Sequence, residues 1–149
     1  MTMTITIHPY NPFWTQEFET IRQSLQEILG GLALRIDHIG STSVPGLGAK
    51  DVIDVQITVQ ALTLEVRQKL IEAGYEHREA ITHDHVPLGE DDDPRLWMKF
   101  FFNQPAGQRR ANIHIRAVGI AQRFERGALQ VGVALLAGGV EQNFFHALF

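Results

Sequence analysis

The chain of 149 residues contains no cysteine. Disulfides, zinc–thiolate sites and thiol catalysis are therefore excluded, and the sequence suits a reducing cytoplasm, where we expect the protein. An excess of positive charge is missing as well, since the formal net charge is −4 at pH 7. We expect no broad nucleic-acid-binding face, because non-specific binding to phosphates requires a cationic surface.

Long apolar runs and targeting signals are also missing. No stretch approaches the ~20 apolar residues that span a bilayer, so we expect no membrane partner. Residues 1–7 alternate apolar and polar types and lack a basic segment, so they resemble a short edge strand rather than a secretory signal. The length predicts one domain over residues 1–149, large enough to bury ~68–70% of its unfolded surface.

Apolar periodicity predicts two helices and several strands. After Asn11-Pro12, a start signal, apolar residues recur at helical spacing until Gly30-Gly31, and the aromatic pair Phe13-Trp14 is interpreted as core. A second helix is predicted from Leu62 to Gly74. Strands are expected at residues 32–39, 52–59, 75–80, 96–103 and 111–118. The fold class is therefore α+β, with a small mixed sheet of about five strands, helices packed on one face and a site on the other.

Two of these strands carry polar residues on one face. In the second strand, Asp54 and Gln56 point to one side while the intervening Val and Ile residues point to the other. In the last strand, Asn112, His114 and Arg116 share a face in the same way. A carboxylate and an amide are costly to bury without a partner, so these positions either face solvent or line a site.

The loop over residues 40–50 lies between the first two strands. Gly40 allows close approach of a ligand, and the hydroxyls and N–H groups of Ser41 and Thr42 suit a phosphate. Ser41 equally fits the N-cap of a helical turn through residues 44–46. His38, just before the loop, is interpreted as a structural histidine.

This region resembles a known family. The run His38-Ile-Gly-Ser-Thr-Ser-Val-Pro-Gly-Leu-Gly-Ala-Lys50, followed by Asp51-Val-Ile-Asp-Val-Gln56, is similar to the signature of GrpB-like proteins. These form a branch of the nucleotidyltransferase superfamily, which has the DNA polymerase β palm-like fold. The resemblance continues more loosely from Tyr10 to about Arg116, and it implies a nucleotidyltransferase-like sheet.

The resemblance also implies a chemistry, from which this chain departs. The superfamily pattern places two carboxylates on the strand after Gly-Ser and a third on a later strand, where they hold two divalent ions. Here the first position is Asp54 but the second is Gln56, and the third would be Asn112 or His114. Amide and imidazole are poorer Mg²⁺ ligands than carboxylate, so the sequence does not favour a two-metal enzyme.

Three hypotheses remain from the sequence. The first is an enzyme with catalytic Asp54, Gln56 and His114, in which Asp54 and His114 hold one Mg²⁺, Mn²⁺ or other divalent ion. Gly40, Ser41, Thr42, Lys50 and Arg116 would then bind the phosphates of a nucleotide or another phosphate-containing small molecule. The second is a non-catalytic nucleotide or phosphoester sensor. The third is an interaction module, a helper in coenzyme A or nucleotide metabolism, because the family resemblance implies occasional fusion to dephospho-CoA kinase.

Two further stretches are unusual. The loop over residues 81–94 contains His83, Asp84 and His85, which are acceptable metal ligands, although sequence neighbours point apart on most backbones. From about residue 119 the sequence is atypical of the family, and residues 131–140 have no polar face. Either this tail covers an apolar surface in a partner subunit or the reading frame has changed. It predicts a homo-oligomer or poor solubility.

Overall fold

The computed structural model describes residues 4–122. Its main elements are the helices α1 (Phe13–Leu29) and α2 (Leu64–Glu72) and a five-stranded sheet. The strands are β1 (Arg35–Ile39), β2 (Ile53–Val59), β3 (Glu76–His77), β4 (Phe100–Asn103) and β5 (Ala111–Ala117). The spatial order is β1-β2-β5-β4-β3, with β2 and β5 parallel and the other pairs antiparallel. The predicted α+β class with a mixed sheet of five strands is confirmed.

The two helices cover one face of the sheet. The apolar stripe of α1 buries Trp14, Phe18, Leu25 and Leu29, and α2 adds Val66 and Leu70. They pack on inward-facing residues of the strands, namely Ile53, Val55, Ile57, Phe102, Ile113 and Ile115. Every one of these side chains is almost completely removed from water. This apolar layer therefore supplies the hydrophobic stabilisation of the fold.

Several element boundaries differ from the prediction. The first strand begins at Arg35 because residues 30–32 form a 3₁₀ turn that extends α1. The fourth strand begins at Phe100 because residues 94–96 form another 3₁₀ turn, in which the Asp93 carboxylate accepts a hydrogen bond from the N–H of Arg95. The third strand shortens to two residues.

The interpretation of the Phe13-Trp14 pair as core is correct for Trp14 only. Trp14 is 1% exposed and its indole N–H donates to the Asp51 carboxylate at 2.9 Å, whereas Phe13 is 61% exposed. The Asn11 carboxamide oxygen accepts a hydrogen bond from the N–H of Phe13, so it caps the first turn of α1.

Within residues 4–122, no helix has the length and apolar character needed to cross a bilayer. Residues 118–122 are helical and follow β5 directly. Most of the atypical tail, including the apolar stretch over residues 131–140, lies outside the described residues.

Candidate functional site

The loop after β1 lies against the beginning of β2. Gly40 has a positive φ of 72° with ψ −172°, a conformation that is almost restricted to glycine. A Cβ atom at this position would lie 2.7 Å from Oδ2 of Asp54. Gly40 is therefore required for two reasons, its backbone conformation and its close approach to the carboxylate. The sequence predicted a close approach of a ligand at Gly40, which stays a prediction, and the close approach in the structure is to the Asp54 side chain.

The hydroxyls of the loop have different environments. Residues 41–43 form a 3₁₀ turn in which Gly40 occupies the cap position, and the Ser43 hydroxyl donates to the Gly40 carbonyl at 2.6 Å. Thr42 is buried, and its hydroxyl is hydrogen-bonded to Nε2 of His38 at 2.9 Å. Ser41 is half-buried. The helical turn lies three residues earlier than the turn proposed for residues 44–46.

His38 supports the loop from the helix side of the sheet. Its ring stacks on Phe18 with centroids 4.8 Å apart and an interplanar angle of 11°. Burial lowers the pKa of His38 to about 4, so that the imidazole is neutral at physiological pH. These contacts agree with its interpretation as a structural histidine.

Asp54 is the only carboxylate among the residues predicted to be catalytic. Its side chain is 15% exposed, and its Oδ1 accepts a hydrogen bond of 3.1 Å from the Asn112 amide. Burial raises the pKa of Asp54 to about 6. The Asn112 hydrogen bond lowers this pKa, as do three cations, which are Lys50, Lys99 and Arg116. Asp54 thus remains a carboxylate at neutral pH, but one whose charge is costly.

Beside Asp54, a cluster of charged side chains is buried in the same face of the sheet. Arg116 is 0% exposed and binds the Asp84 carboxylate in a bidentate manner, Nε to Oδ2 at 2.9 Å and Nη2 to Oδ1 at 2.7 Å. Its Nη1 donates to Oε1 of Gln56 at 2.6 Å. Lys99 donates to the same Oδ1 of Asp84 at 2.7 Å. We call Asp84, Lys99 and Arg116 the charged cluster.

His114 lies between Asp54 and the charged cluster and is fully buried. Its Nδ1 is 3.2 Å from Nζ of Lys99 and 3.4 Å from Nη2 of Arg116. Its Nε2 is 3.6 Å from Oδ1 of Asp54 and has no hydrogen-bond partner within residues 4–122. Burial, Arg116 and Lys99 all lower the pKa of His114, which is therefore neutral.

The sequence predicted several of these neighbours but missed two. Strand pairing places Asp54 opposite Asn112, Gln56 opposite His114 and Thr58 opposite Arg116, so the polar faces of β2 and β5 do meet. Lys99 was not singled out as a site residue, and Asp84 was considered only as a metal ligand together with His83 and His85. Asp84 comes from the predicted solvated loop and carries no periodic signal. For Lys99, the available signal was a single charged residue in the apolar run Trp97-Met-Lys-Phe-Phe-Phe102.

A short ladder brings Asp84 and Lys99 together. His83 and Met98 form an isolated antiparallel bridge, with hydrogen bonds from Asp84 N–H to the Trp97 carbonyl and from Lys99 N–H to the Thr82 carbonyl. His83 and His85 are exposed whereas Asp84 is buried, so the three side chains do not converge. Among residues 4–122, no three His, Asp or Glu side chains are grouped so that they could hold a metal ion.

The sequence pattern of the GrpB protein family matches residues 4–129, which is most of the chain. The chain belongs to the GrpB family. This family is part of the nucleotidyltransferase-like superfamily, so the resemblance inferred from residues 38–56 is confirmed.

Three relatives illustrate the range of similarity. A dephospho-CoA kinase of Mycolicibacterium paratuberculosis is 36% identical over 129 residues, which cover 77% of this chain and 32% of that protein. A UPF0157 protein of Halalkalibacterium halodurans is 44% identical over 55 residues, 37% of this chain and 28% of that protein. The crystal structure of the conserved protein GrpB from Enterococcus faecalis matches with a TM-score of 0.62 and 28% identity, covering 81% of this chain and 67% of that chain.

The chain spans about a third of the length of the dephospho-CoA kinases that it matches. The name dephospho-CoA kinase therefore describes proteins about three times as long as the matched segment. The E. faecalis structure, in contrast, resembles most of this chain and supports the fold directly.

Proposed function

We propose that this GrpB-family protein binds a nucleotide or another phosphate-containing small molecule in the cleft between the Gly40-Ser41 loop and the Asp54 and His114 strands. The observation that carries the proposal is the buried Nε2 of His114, which points towards Asp54 without a hydrogen-bond partner in the described part of the chain. Within residues 4–122 it is one of four buried side-chain polar atoms without a hydrogen-bond partner, and it is the one that lies beside Asp54. Such atoms are uncommon in native proteins and call for an explanation, of which an absent ligand is one.

The electrostatics of the cleft support an anionic ligand. Lys50, Lys99 and Arg116 are all close enough to lower the pKa of Asp54. Lys50 is half-buried at the end of the loop. Phosphate groups are commonly bound by positively charged side chains together with backbone N–H groups. Lys50 and the N–H groups of the loop would contact the phosphate here, whereas Lys99 and Arg116, both bonded to Asp84, would act only through their charge. Asp54 would then accept a hydrogen bond from a hydroxyl group of the same ligand.

Metal-dependent nucleotidyl transfer is the more specific version of this proposal. It would use Asp54, Gln56 and His114 as catalytic residues and Asp54 and His114 as ligands of Mg²⁺ or Mn²⁺. Asp54 is the single carboxylate available on β2 and β5, whereas two-metal transfer relies on several bridging carboxylates. Binding without catalysis needs fewer groups, and we therefore place ligand binding first.

A role around coenzyme A is the second candidate. It is favoured by the similarity between this chain and part of a protein named dephospho-CoA kinase. In that role the domain would be a binding or interaction module without catalysis. Coenzyme A and dephospho-CoA both contain phosphoester groups and an adenosine, so they belong to the same ligand class as the nucleotides.

A thermal-shift screen tests the proposal, with ATP, GTP, CTP, UTP, dephospho-CoA and coenzyme A as probes, each with and without MgCl₂. A true ligand at 100 times its dissociation constant adds about 2.7 kcal/mol to the free energy of unfolding. The informative variant is Gly40→Ala, whose Cβ would press on Oδ2 of Asp54. We expect Gly40→Ala to abolish the ligand-induced shift.

The matched control is Gly107→Ala. Gly107 also has a positive φ, 76°, but a Cβ atom there would meet nothing within 4 Å. Both variants carry the backbone strain, whereas only Gly40→Ala disturbs the cleft. No shift with any probe, or equal shifts for wild type and Gly40→Ala, would contradict the proposed cleft.

A further inference from the structure

The hydrogen bonds around His114 determine which ring nitrogen carries the proton. Arg116 has only N–H donors, and one of them, on Nη2, lies 3.4 Å from Nδ1 of His114. Nζ of Lys99 lies 3.2 Å from the same nitrogen and is also bonded to the Asp84 carboxylate, as expected for an ammonium group. Nδ1 therefore serves as an acceptor. In a neutral imidazole the proton is then on Nε2.

The Nε2–H group points towards Asp54. The nearest oxygen, Oδ1 of Asp54, is 3.6 Å away, which is too far for a hydrogen bond, and it already accepts one from Asn112. His114 is 0% exposed, so bulk water does not reach the Nε2–H group to accept a hydrogen bond from it. An acceptor oxygen of a ligand that reached Nε2–H from beside the Asp54 side chain, which is 15% exposed, would satisfy the group.

The same geometry does not fit a divalent ion. A metal ligand at Nε2 must offer a lone pair, which requires the other tautomer, and that tautomer would direct an N–H at Lys99 and Arg116. Gln56 cannot assist, since its Oε1 accepts a hydrogen bond from Nη1 of Arg116 at 2.6 Å. Asn112 presents an N–H, not an oxygen, to Asp54. The side chains at the positions of a nucleotidyltransferase metal site are therefore hydrogen-bonded to one another or to the charged cluster, and they are not arranged around a metal ion.

We infer that the cleft binds an acceptor-oxygen ligand, such as a phosphate ester, through the Nε2–H of His114 and without a divalent cation. Lys99 and Arg116 are the positioning residues for this role, because they hold Nδ1 as the acceptor. The positive charges of these two residues lie at the Nδ1 side of the imidazole, whereas the proposed ligand binds at the Nε2 side. The inference rests on the proposed ligand binding for its ligand class, whereas the tautomer of His114 is measurable without any ligand.

The first test is long-range ¹H–¹⁵N correlation NMR of the ¹⁵N-labelled protein at neutral pH, with His114 assigned by comparison with His114→Phe. We expect the Nε2–H tautomer in wild type and a mixture of tautomers, or the Nδ1–H form, in Lys99→Met. The control is Lys69→Met, on the surface helix α2, which should leave the His114 signals unchanged. Observation of the Nδ1–H tautomer in wild type would overturn the inference.

The second test addresses the metal directly. Mn²⁺ added to the same sample should not selectively broaden the His114 signals, and selective broadening would overturn the inference even if no ligand is known. ATP and coenzyme A then serve as probes in calorimetric titrations. We expect their dissociation constants in EDTA and in MgCl₂ to agree within about threefold, and His114→Phe to weaken binding by at least about tenfold.

The outcomes distinguish this inference from the proposed function. Binding that requires Mg²⁺ or Mn²⁺ would overturn the inference and leave the proposed ligand binding intact. If neither probe binds under any condition, the proposed function loses its support, and the His114 tautomer and the Mn²⁺ titration still decide the metal question. His77→Phe is the matched control for His114→Phe, since His77 lies on β3 of the same sheet and stacks on Phe102.

Discussion

The two faces of the sheet differ in what they bury. On the helix-covered face, the two central strands β2 and β5 bury only hydrocarbon side chains, with Ile53, Val55, Ile57, Ile113 and Ile115 each at 0% exposure. The opposite face of the same two strands buries Gln56, Thr58, His114 and Arg116, all below 9% exposed. Alternate residues of one strand are thus placed in two environments of opposite polarity.

The apolar face accounts for the stability of the fold, whereas the polar face is where we propose that a ligand binds. Burial of apolar surface stabilises a fold without any need for a partner, whereas a buried charge must be paired and hydrogen-bonded. The polar face meets that requirement at Arg116 and Asp84 but not at His114, and it keeps Asp54 as a carboxylate of raised pKa. Costly groups in one cluster are typical of a functional site.

The largest expected effect is on the polar face. Asp84→Asn removes the only carboxylate bonded to both Lys99 and Arg116 in the described structure and leaves two buried cations facing each other. We expect a loss of about 3–5 kcal/mol in the free energy of unfolding, the usual cost of breaking a buried ion pair from one side. Urea denaturation followed by circular dichroism measures it.

The control for Asp84→Asn is Asp93→Asn in the same loop. Asp93 is paired with Arg95, but the pair is on the surface, where ion pairs contribute little. A small effect of both substitutions would show that the charged cluster is solvated, and the contrast between the two faces would then be wrong.

A smaller loss is expected on the apolar face. Leu25 of α1 is 0% exposed in the core, and Leu25→Ala should cost about 3 kcal/mol through lost burial and the remaining cavity. Leu34→Ala is the control, since Leu34 is 54% exposed. The same denaturation experiment measures both. If Leu25→Ala also changed the NMR signals of His114, the two faces would not be independent.

Sequence reasoning could predict the faces because strand alternation is local. Polar and apolar residues alternate along residues 53–57 and 111–117, so the sequence already shows which side chains share a side. The joining of β2 to β5 is a parallel pairing of distant segments, which strand alternation does not predict. The family resemblance indicated only that a residue of the later strand, Asn112 or His114, belongs to the same site as Asp54. The 3₁₀ turns at residues 30–32 and 94–96 shifted the strand starts, because such turns have weak sequence signals.

The charged cluster could not be predicted in the same way. Asp84 comes from a loop rich in exposed polar residues, and nothing local distinguishes it from Asp91 or Asp92, which are exposed. Its role arises from the short ladder that sets it beside Lys99, a tertiary contact. The roles predicted for Asp54, Gln56 and His114 stay predictions, although the structure does bring the three side chains together.

Substitution of Asp54 is expected to stabilise the protein, unlike the substitutions of Asp84 and Leu25. Burial raises the pKa of Asp54 to about 6 from an ordinary value of 3.8, so the ionised form is less favourable in the folded protein than in the unfolded chain. This penalty is absent below about pH 4 and complete above about pH 6. Asp54→Asn should therefore raise the free energy of unfolding by roughly 3 kcal/mol near neutral pH, since one pKa unit corresponds to about 1.4 kcal/mol.

The measurement is the difference in unfolding free energy between Asp54→Asn and wild type at several pH values. The difference is needed because His38, with its pKa lowered to about 4, itself makes the fold less stable as the pH falls below 6.5. That contribution is common to both proteins and cancels. The gain should vanish as the pH falls from 6 towards 4, because the wild-type carboxyl is then protonated in the folded state.

Asp51→Asn is the matched control, three residues earlier in the chain. The Trp14 hydrogen bond and the charge of Arg109 lower the pKa of Asp51, so its ionised form stabilises the fold at neutral pH. Asp51→Asn should accordingly destabilise the protein under the conditions in which Asp54→Asn stabilises it. If Asp54→Asn were also destabilising near neutral pH, the ionised carboxylate would stabilise the fold. The idea that Asp54 is kept for binding at a cost in stability would then be wrong.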